Sequence, residues 1–167
     1  YATHINHDTP GFLSKIPGGD LNAVDASGAE KVLETFGMMK TELIGSAGQL
    51  LQKKKKKKAT LTFTIASTQQ SQAPTSIPLW YFDDETALWK EEGAAIKSGN
   101  SYQGDVSHFT WWNVDWPVDG CNISGIVTDC EGIPLANITI LFNNLYTLTT
   151  NSQGQYQAQW PCTVLLT

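Results

Sequence analysis

Five tryptophans crowd the middle of the chain: Trp80, Trp89, Trp111, Trp112 and Trp116. An indole face can stack on the apolar face of a pyranose ring, and the same indole can bury a large area in a core. Trp111 and Trp112 are adjacent, so in a strand they point to opposite faces and only one is fully inward. Trp112 and Trp116 are expected to be exposed and are the candidate ligand-binding residues. Core packing is the expectation for the rest of the set.

Other groups invite chemistry with less force. Asp83, Asp84, Glu85, Glu91 and Glu92 could gather around Ca²⁺, which takes clustered oxygen ligands, but no EF-hand spacing is present. They read as solvated hairpin charges. A carboxylate pair for glycoside hydrolysis is something any acidic β protein offers. His4, His7 and Asp8 have metal-ligand spacing only on a helix, and Pro10 and Gly11 follow at once, so a mobile terminus is expected. Ser107 and His108 with an acid would suggest a triad. Adjacent strand residues face opposite ways, so the two are not expected to meet, and His108 reads as a structural hydrogen-bonding residue. No catalytic residue, metal site or cofactor is expected.

Cys121, Cys130 and Cys162 all lie toward the C-terminal end. A Cys121–Cys162 disulfide would staple a short segment with little core of its own. Cys121–Cys130 is the rival pairing, and the residues alone do not choose. Asn122-Ile123-Ser124 and Asn137-Ile138-Thr139 match the N-glycan acceptor pattern, a three-residue motif on which no function is rested. Residues 53–58 are six consecutive lysines. They read as a polyanion patch, a solvated loop or a placeholder for unassigned sequence, so no function rests on them.

The elements that must position these groups read as strands. Residues 59–65 alternate, with Leu61, Phe63 and Ile65 on one face and Thr60, Thr62 and Thr64 on the other, the period of a half-buried strand. Residues 79–82 and 88–92 flank the turn Asp83-Asp84-Glu85-Thr86, and 94–97 and 102–106 flank Ser98-Gly99-Asn100, so two hairpins are predicted. Residues 108–114 form an aromatic strand. Residues 32–36 and 38–44 read as two strands, with a turn at Ala26-Ser27-Gly28 preferred over a helix cap at Ser27. The first 25 residues read as loop, and 67–76 as a Gln/Ser-rich loop. After residues 117–120, a linker, the rhythm restarts with alternation at Ile123, Gly125 and Val127, at Ile138, Ile140 and Phe142, and at Tyr156, Ala158 and Trp160. The predicted class is all-β, antiparallel β-sandwich modules in tandem, with one module over 1–116 and the start of another over 121–167.

Composition narrows the function classes. Charged residues make up 16 % of the chain, against about 25 % in average proteins, and neutral polar residues fill the gap. There is no arginine, and without the lysine run five lysines face sixteen acids, a balance of −11. Nucleic-acid binding needs distributed cations, so that class is excluded. No apolar run is long enough for a membrane span. No signal peptide opens the chain, which reads as a mature or truncated fragment of a longer protein.

Two resemblances add to this reading. Ile77-Pro78-Leu79-Trp80-Tyr81-Phe82-Asp83, Trp89-Lys90-Glu91-Glu92-Gly93 and Val106-Ser107-His108-Phe109-Thr110-Trp111-Trp112-Asn113 together resemble a module of surface and lipid-anchored proteins of Bacteroidota. Phe36-Gly37-Met38 and Ala59-Thr60-Leu61-Thr62-Phe63 fit its earlier part, and the lysine run departs from it. Ile123-Ser124-Gly125-Ile126-Val127-Thr128-Asp129, Gly132-Ile133-Pro134-Leu135-Ala136-Asn137-Ile138-Thr139-Ile140 and Thr149-Thr150-Asn151-Ser152-Gln153-Gly154-Gln155-Tyr156 resemble the start of a carboxypeptidase-regulatory-like domain, a transthyretin-like sandwich. The resemblances imply a non-catalytic structural or adhesive module, extracellular or on the outer-membrane surface. Its partners would be neighbouring modules or copies of the same protein, and assembly into a fibre is one form this could take. The alternative expectation is a carbohydrate-binding accessory module with glycans as ligands.

Overall fold

The computed structural model describes residues 2–5, 9, 12–51, 58–142 and 146–162. The first strands are β1 (Ala2–Ile5), β2 (Asn22–Val24), β3 (Glu30–Thr41), β4 (Leu43–Ile44), β5 (Leu50–Leu51), β6 (Ala59–Thr64) and β7 (Ser76–Asp83). They are followed by β8 (Leu88–Ser98), β9 (Ser101–Val106), β10 (Trp111–Val118), β11 (Gly120–Ile126), β12 (Thr139–Phe142), β13 (Tyr146–Thr149) and β14 (Gln155–Pro161). Short 3-10 segments at Phe12–Lys15 and Pro17–Gly19 are the helical content among the described residues. The chain is all-β, as its alternation predicts, and no helix among the described residues is long and apolar enough to cross a membrane.

Turn chemistry sets much of this order. At Asp25, Asp129 and Asn151 one side-chain oxygen accepts from the backbone N–H groups two and four residues ahead. A glycine follows three residues later in each case, at φ 88° (Gly28), 86° (Gly132) and 71° (Gly154). The side chain replaces backbone partners that the tight turn cannot supply, and glycine takes the left-handed position without a Cβ clash. The β4–β5 turn keeps the same backbone hydrogen bonds, Gly45 N–H to the Gln49 carbonyl and Gly48 N–H to the Gly45 carbonyl. Gly45 has no side chain to help, and Gln49 Oε1 accepts from Ala47 N–H instead.

Eight strands form one sheet in the order β1-β3-β10-β7-β8-β9-β6, and β2 bridges β3 and β8. β2 runs antiparallel to β3 and parallel to β8. Pairing therefore passes from β2 through β3, β10, β7 and β8 back to β2, and that part of the sheet closes on itself. Both faces of the shared strands are covered. On β7, Ile77 and Leu79 enter one core cluster with Phe63, Tyr102 and Trp112. Trp80 and Phe82 enter the other, with Leu33, Met38 and Trp89, and Phe12 and Ile16 of the N-terminal segment complete it. Alternating side chains thus serve two cores.

A bulge interrupts the β3–β10 pairing. Met38 opposes Asn113 and Thr35 opposes Asp115, so Phe36 and Gly37 together face Val114. A bulge leaves backbone groups without ladder partners. Here side chains supply them: the Thr35 hydroxyl accepts from Gly37 N–H, and the Asp115 carboxyl accepts from Phe36 N–H. Thr35 Oγ1–H donates to Asn113 Oδ1, and the Asn113 amide donates to Asp115 Oδ2. Thr35, Asn113 and Asp115 are all buried.

β4 and β5 form a separate two-stranded sheet, and β11–β14 form a second unit. β11 pairs with β14, and β12 with β13. Phe142 packs its ring on Tyr156 and Trp160. Thr150 is buried, accepting from Ile138 N–H and donating to the Leu135 carbonyl. Leu13, Val32 and Leu33 of the first unit meet Phe142, Leu148 and Trp160 of the second around a small apolar cavity.

Several boundaries differ from the sequence reading. Residues 32–41 lie in one strand of twelve residues, because the bulge lets β3 bend without ending. The N-terminal 25 residues hold β1 and β2, whose short lengths hide their periodicity. Residues 107–110 are bends, and the aromatic strand starts at Trp111. Of the expected linker 117–120, Pro117 and Val118 pair with Leu33 and Val32, and Gly120 pairs with Pro161. Residues 53–57 of the lysine run, together with His7, Asp8 and the C-terminal stretch 163–167, lie outside the described residues.

Candidate functional site

β10 carries the aromatic side chains singled out by sequence, and strand parity sorts them. Trp112 and Val114 point into the first core cluster. Trp112 is 0 % exposed, and its indole N–H donates to the His108 carbonyl at 3.1 Å. Its expected exposure is therefore corrected: of the adjacent pair, Trp112 is the inward residue and Trp111 is half-buried under the Lys40 ammonium, 5.8 Å from the ring centroid. Trp80 and Trp89 are likewise buried and donate to the Asp115 and Asp20 carbonyls. A buried indole needs an acceptor for its N–H, and each of these three has a backbone one.

Trp116 is different, at 46 % exposure. It follows Asp115 on β10, directly opposite Glu34 on β3. With Glu34, Phe36, Gln72 and Pro74 it lines a shallow hollow. Gln72 and Pro74 come from the Gln/Ser-rich loop, which is held from several sides. Gln69 Nε2 donates to the Thr35 carbonyl at 2.8 Å. Lys97 Nζ donates to the Gln70 and Ala73 carbonyls. The buried Tyr102 hydroxyl donates to the Pro74 carbonyl at 2.7 Å, and burial pushes its pKa up to about 12. Sequence reading missed Glu34, Gln72 and Pro74, because a polar loop carries no periodicity to say which strand it crosses. Of the two candidate ligand-binding residues, Trp112 and Trp116, only Trp116 is exposed.

The groups that suggested catalysis lie elsewhere in the first unit. Ser107 Oγ lies 2.9 Å from His108 Nδ1. They were not expected to meet, and they do because 107–110 is a bend and not a strand. His108 sits against the rings of Tyr81 and Trp112, at 4.9 and 5.0 Å between centroids. His4 lies in β1 opposite Met39, which corrects the mobile terminus. Burial holds its imidazole below the usual histidine range. In the acidic turn, Lys90 holds the Asp83 carboxyl down at about 2, with Glu85 N–H and the Thr86 hydroxyl adding to the effect. Glu91 Oε2 accepts from Ala26 N–H and ties β8 to the β2–β3 turn. Asp115 is fully buried, and desolvation raises its carboxyl well above the ordinary range.

In the second unit Cys121 and Cys162 form a disulfide. Cys162 N–H also donates to the Asp119 carbonyl, and Asp119 pairs with Lys31 at 2.8 Å. Cys130 is exposed in the Asp129 turn. No protein-family model, no curated protein and no solved structure matches the chain.

Proposed function

We propose that the chain is a non-catalytic structural or adhesive module of a secreted or cell-surface bacterial protein, working through contacts with neighbouring modules or copies of itself. One observation carries this reading. The second unit exposes Ile126 on β11, Leu141 on β12, and Ile133 and Ile138 in the segment leading into β12, and its two-stranded sheets leave strand edges open among the described residues. Exposed aliphatic side chains beside open edges favour strand-to-strand association. The Cys121–Cys162 disulfide supports an oxidising compartment outside the cytosol. The resemblance to Bacteroidota surface modules and to a carboxypeptidase-regulatory-like domain favours the same placement, with a fibre as the extended form of the association.

Sedimentation velocity over a wide concentration range tests the reading. Concentration-dependent association that weakens in Leu141→Lys is expected, and a monomer at every concentration overturns it. The non-catalytic half has its own check. Turnover of an ester substrate that vanishes in Ser107→Ala would assign a reaction to the Ser107–His108 pair and end that part of the proposal.

A further inference from the structure

We infer that the hollow around Trp116 is a subsite for one sugar ring of a neutral oligosaccharide. Of the six tryptophans, Trp116 alone is exposed; Trp80, Trp89, Trp112 and Trp160 are buried and Trp111 is half-buried. An exposed indole keeps an apolar face in water, and the C–H face of a pyranose covers such a surface while leaving its hydroxyls at the rim. The rim here has what hydroxyls need. Glu34 supplies carboxylate acceptors, and the Gln72 amide supplies both donors and an acceptor.

The subsite is built before any ligand arrives. Trp116 stands between Asp115, whose carboxyl and carbonyl both hold hydrogen bonds, and Pro117, paired with Leu33. Gln72 N–H donates to the Gln69 carbonyl, and Gln69 is anchored on β3 through the Thr35 carbonyl. Pro74 is held through its carbonyl by Tyr102. A weak ligand gains from such rigidity, since little ordering is left to do on binding.

Charge and shape select the ligand class. The chain is −5 overall and Glu34 stands in the hollow, so uronic or sialylated glycans meet repulsion. A polyproline peptide would need a groove between several aromatic ridges, and one exposed ring does not make that groove. The inference does not depend on self-association through the second unit, because the hollow is formed wholly by β3, β10 and the loop before β7.

The test is a panel of neutral gluco-, xylo-, manno- and chito-oligosaccharides titrated into the whole chain, read by tryptophan fluorescence and calorimetry. Binding of at least one member is expected, with a blue shift in emission. Trp116→Ala should weaken it by about tenfold or more, and Gln72→Ala should weaken it less. Trp111→Phe should leave it unchanged. Trp116 is at the surface, so circular dichroism of Trp116→Ala should match the native chain. Failure of every neutral glycan to bind overturns the inference, as does binding unchanged in Trp116→Ala. A proline-rich peptide that binds through Trp116 where glycans do not also overturns it. Sedimentation is unaffected by any of these outcomes, so the two proposals stand or fall apart.

Discussion

The two units of this chain solve the same problem with different means. The first closes part of its sheet through β2 and buries Trp80, Trp89 and Trp112 in two cores, one on each face of the shared strands. The second has four strands of four to seven residues and a single buried large hydrophobic side chain, Trp160, among its described residues. A small unit cannot bury enough apolar area to offset its chain entropy. Its disulfide and its seat against Leu13, Val32 and Leu33 make up the difference. Burial holds the first unit, and covalent restraint with docking holds the second.

The comparison can be broken at its strongest point first. Trp112→Ala removes a fully buried indole and its hydrogen bond to the His108 carbonyl. It should cost the first unit about 3–5 kcal/mol in chemical denaturation, and a smaller loss would mean that the core collapses readily around the gap. Replacing both Cys121 and Cys162 by Ser should cost about 3–4 kcal/mol by the chain-entropy argument. Hydrogen exchange should place that loss in β11–β14 and leave β7–β10 protected. Equal loss in both units would show that they unfold as one.

Asp115 sharpens the picture of the first unit. Its carboxyl is raised by burial, so the folded chain keeps a proton that the unfolded chain has already lost. Its contribution is therefore favourable in acid. It declines as pH rises from the ordinary carboxylate range through the raised value, with a slope of at most about 1.4 kcal/mol per pH unit. Asp115→Asn should remove that slope in urea melts taken across pH, and a slope that persists would place its origin elsewhere.

The smallest effects lie in the turns. Gly154→Ala meets the Val127 carbonyl oxygen at 2.7 Å as well as a left-handed backbone, whereas Gly132→Ala meets open space and bears only the backbone term of about 1–2 kcal/mol. Gly154→Ala should therefore lower the melting temperature more. Ala87 takes φ 54° where glycine is favoured, so Ala87→Gly should stabilise the acidic hairpin by about 1 kcal/mol.

Much of the fold was legible along the chain because its signals are local. Strand β6 was readable from Thr and apolar residues in strict alternation. The hairpins on either side of β8 were readable from their turn residues, and the turn at Gly28 from Ala26-Ser27-Gly28. The candidate site was legible in part. Trp116 is exposed as expected, while Trp112 is not, because adjacency says that two indoles diverge but not which one faces a core. Likewise, the strand pattern around His108 concealed the bend that brings Ser107 to it.

By itself, then, the sequence determined the all-β class and the hairpin turns around β8, and it narrowed the cysteine pairing to two rivals without choosing between them. Only the tertiary structure decided the rest: Cys121 with Cys162, the closure through β2, and the meeting of Trp116 with Gln72 and Pro74. The reason is physical. Period and turn chemistry act between residues a few positions apart, while the bulge at Phe36–Gly37 and the pairing of β3 with β10 join residues some eighty positions apart, and no local pattern encodes that distance.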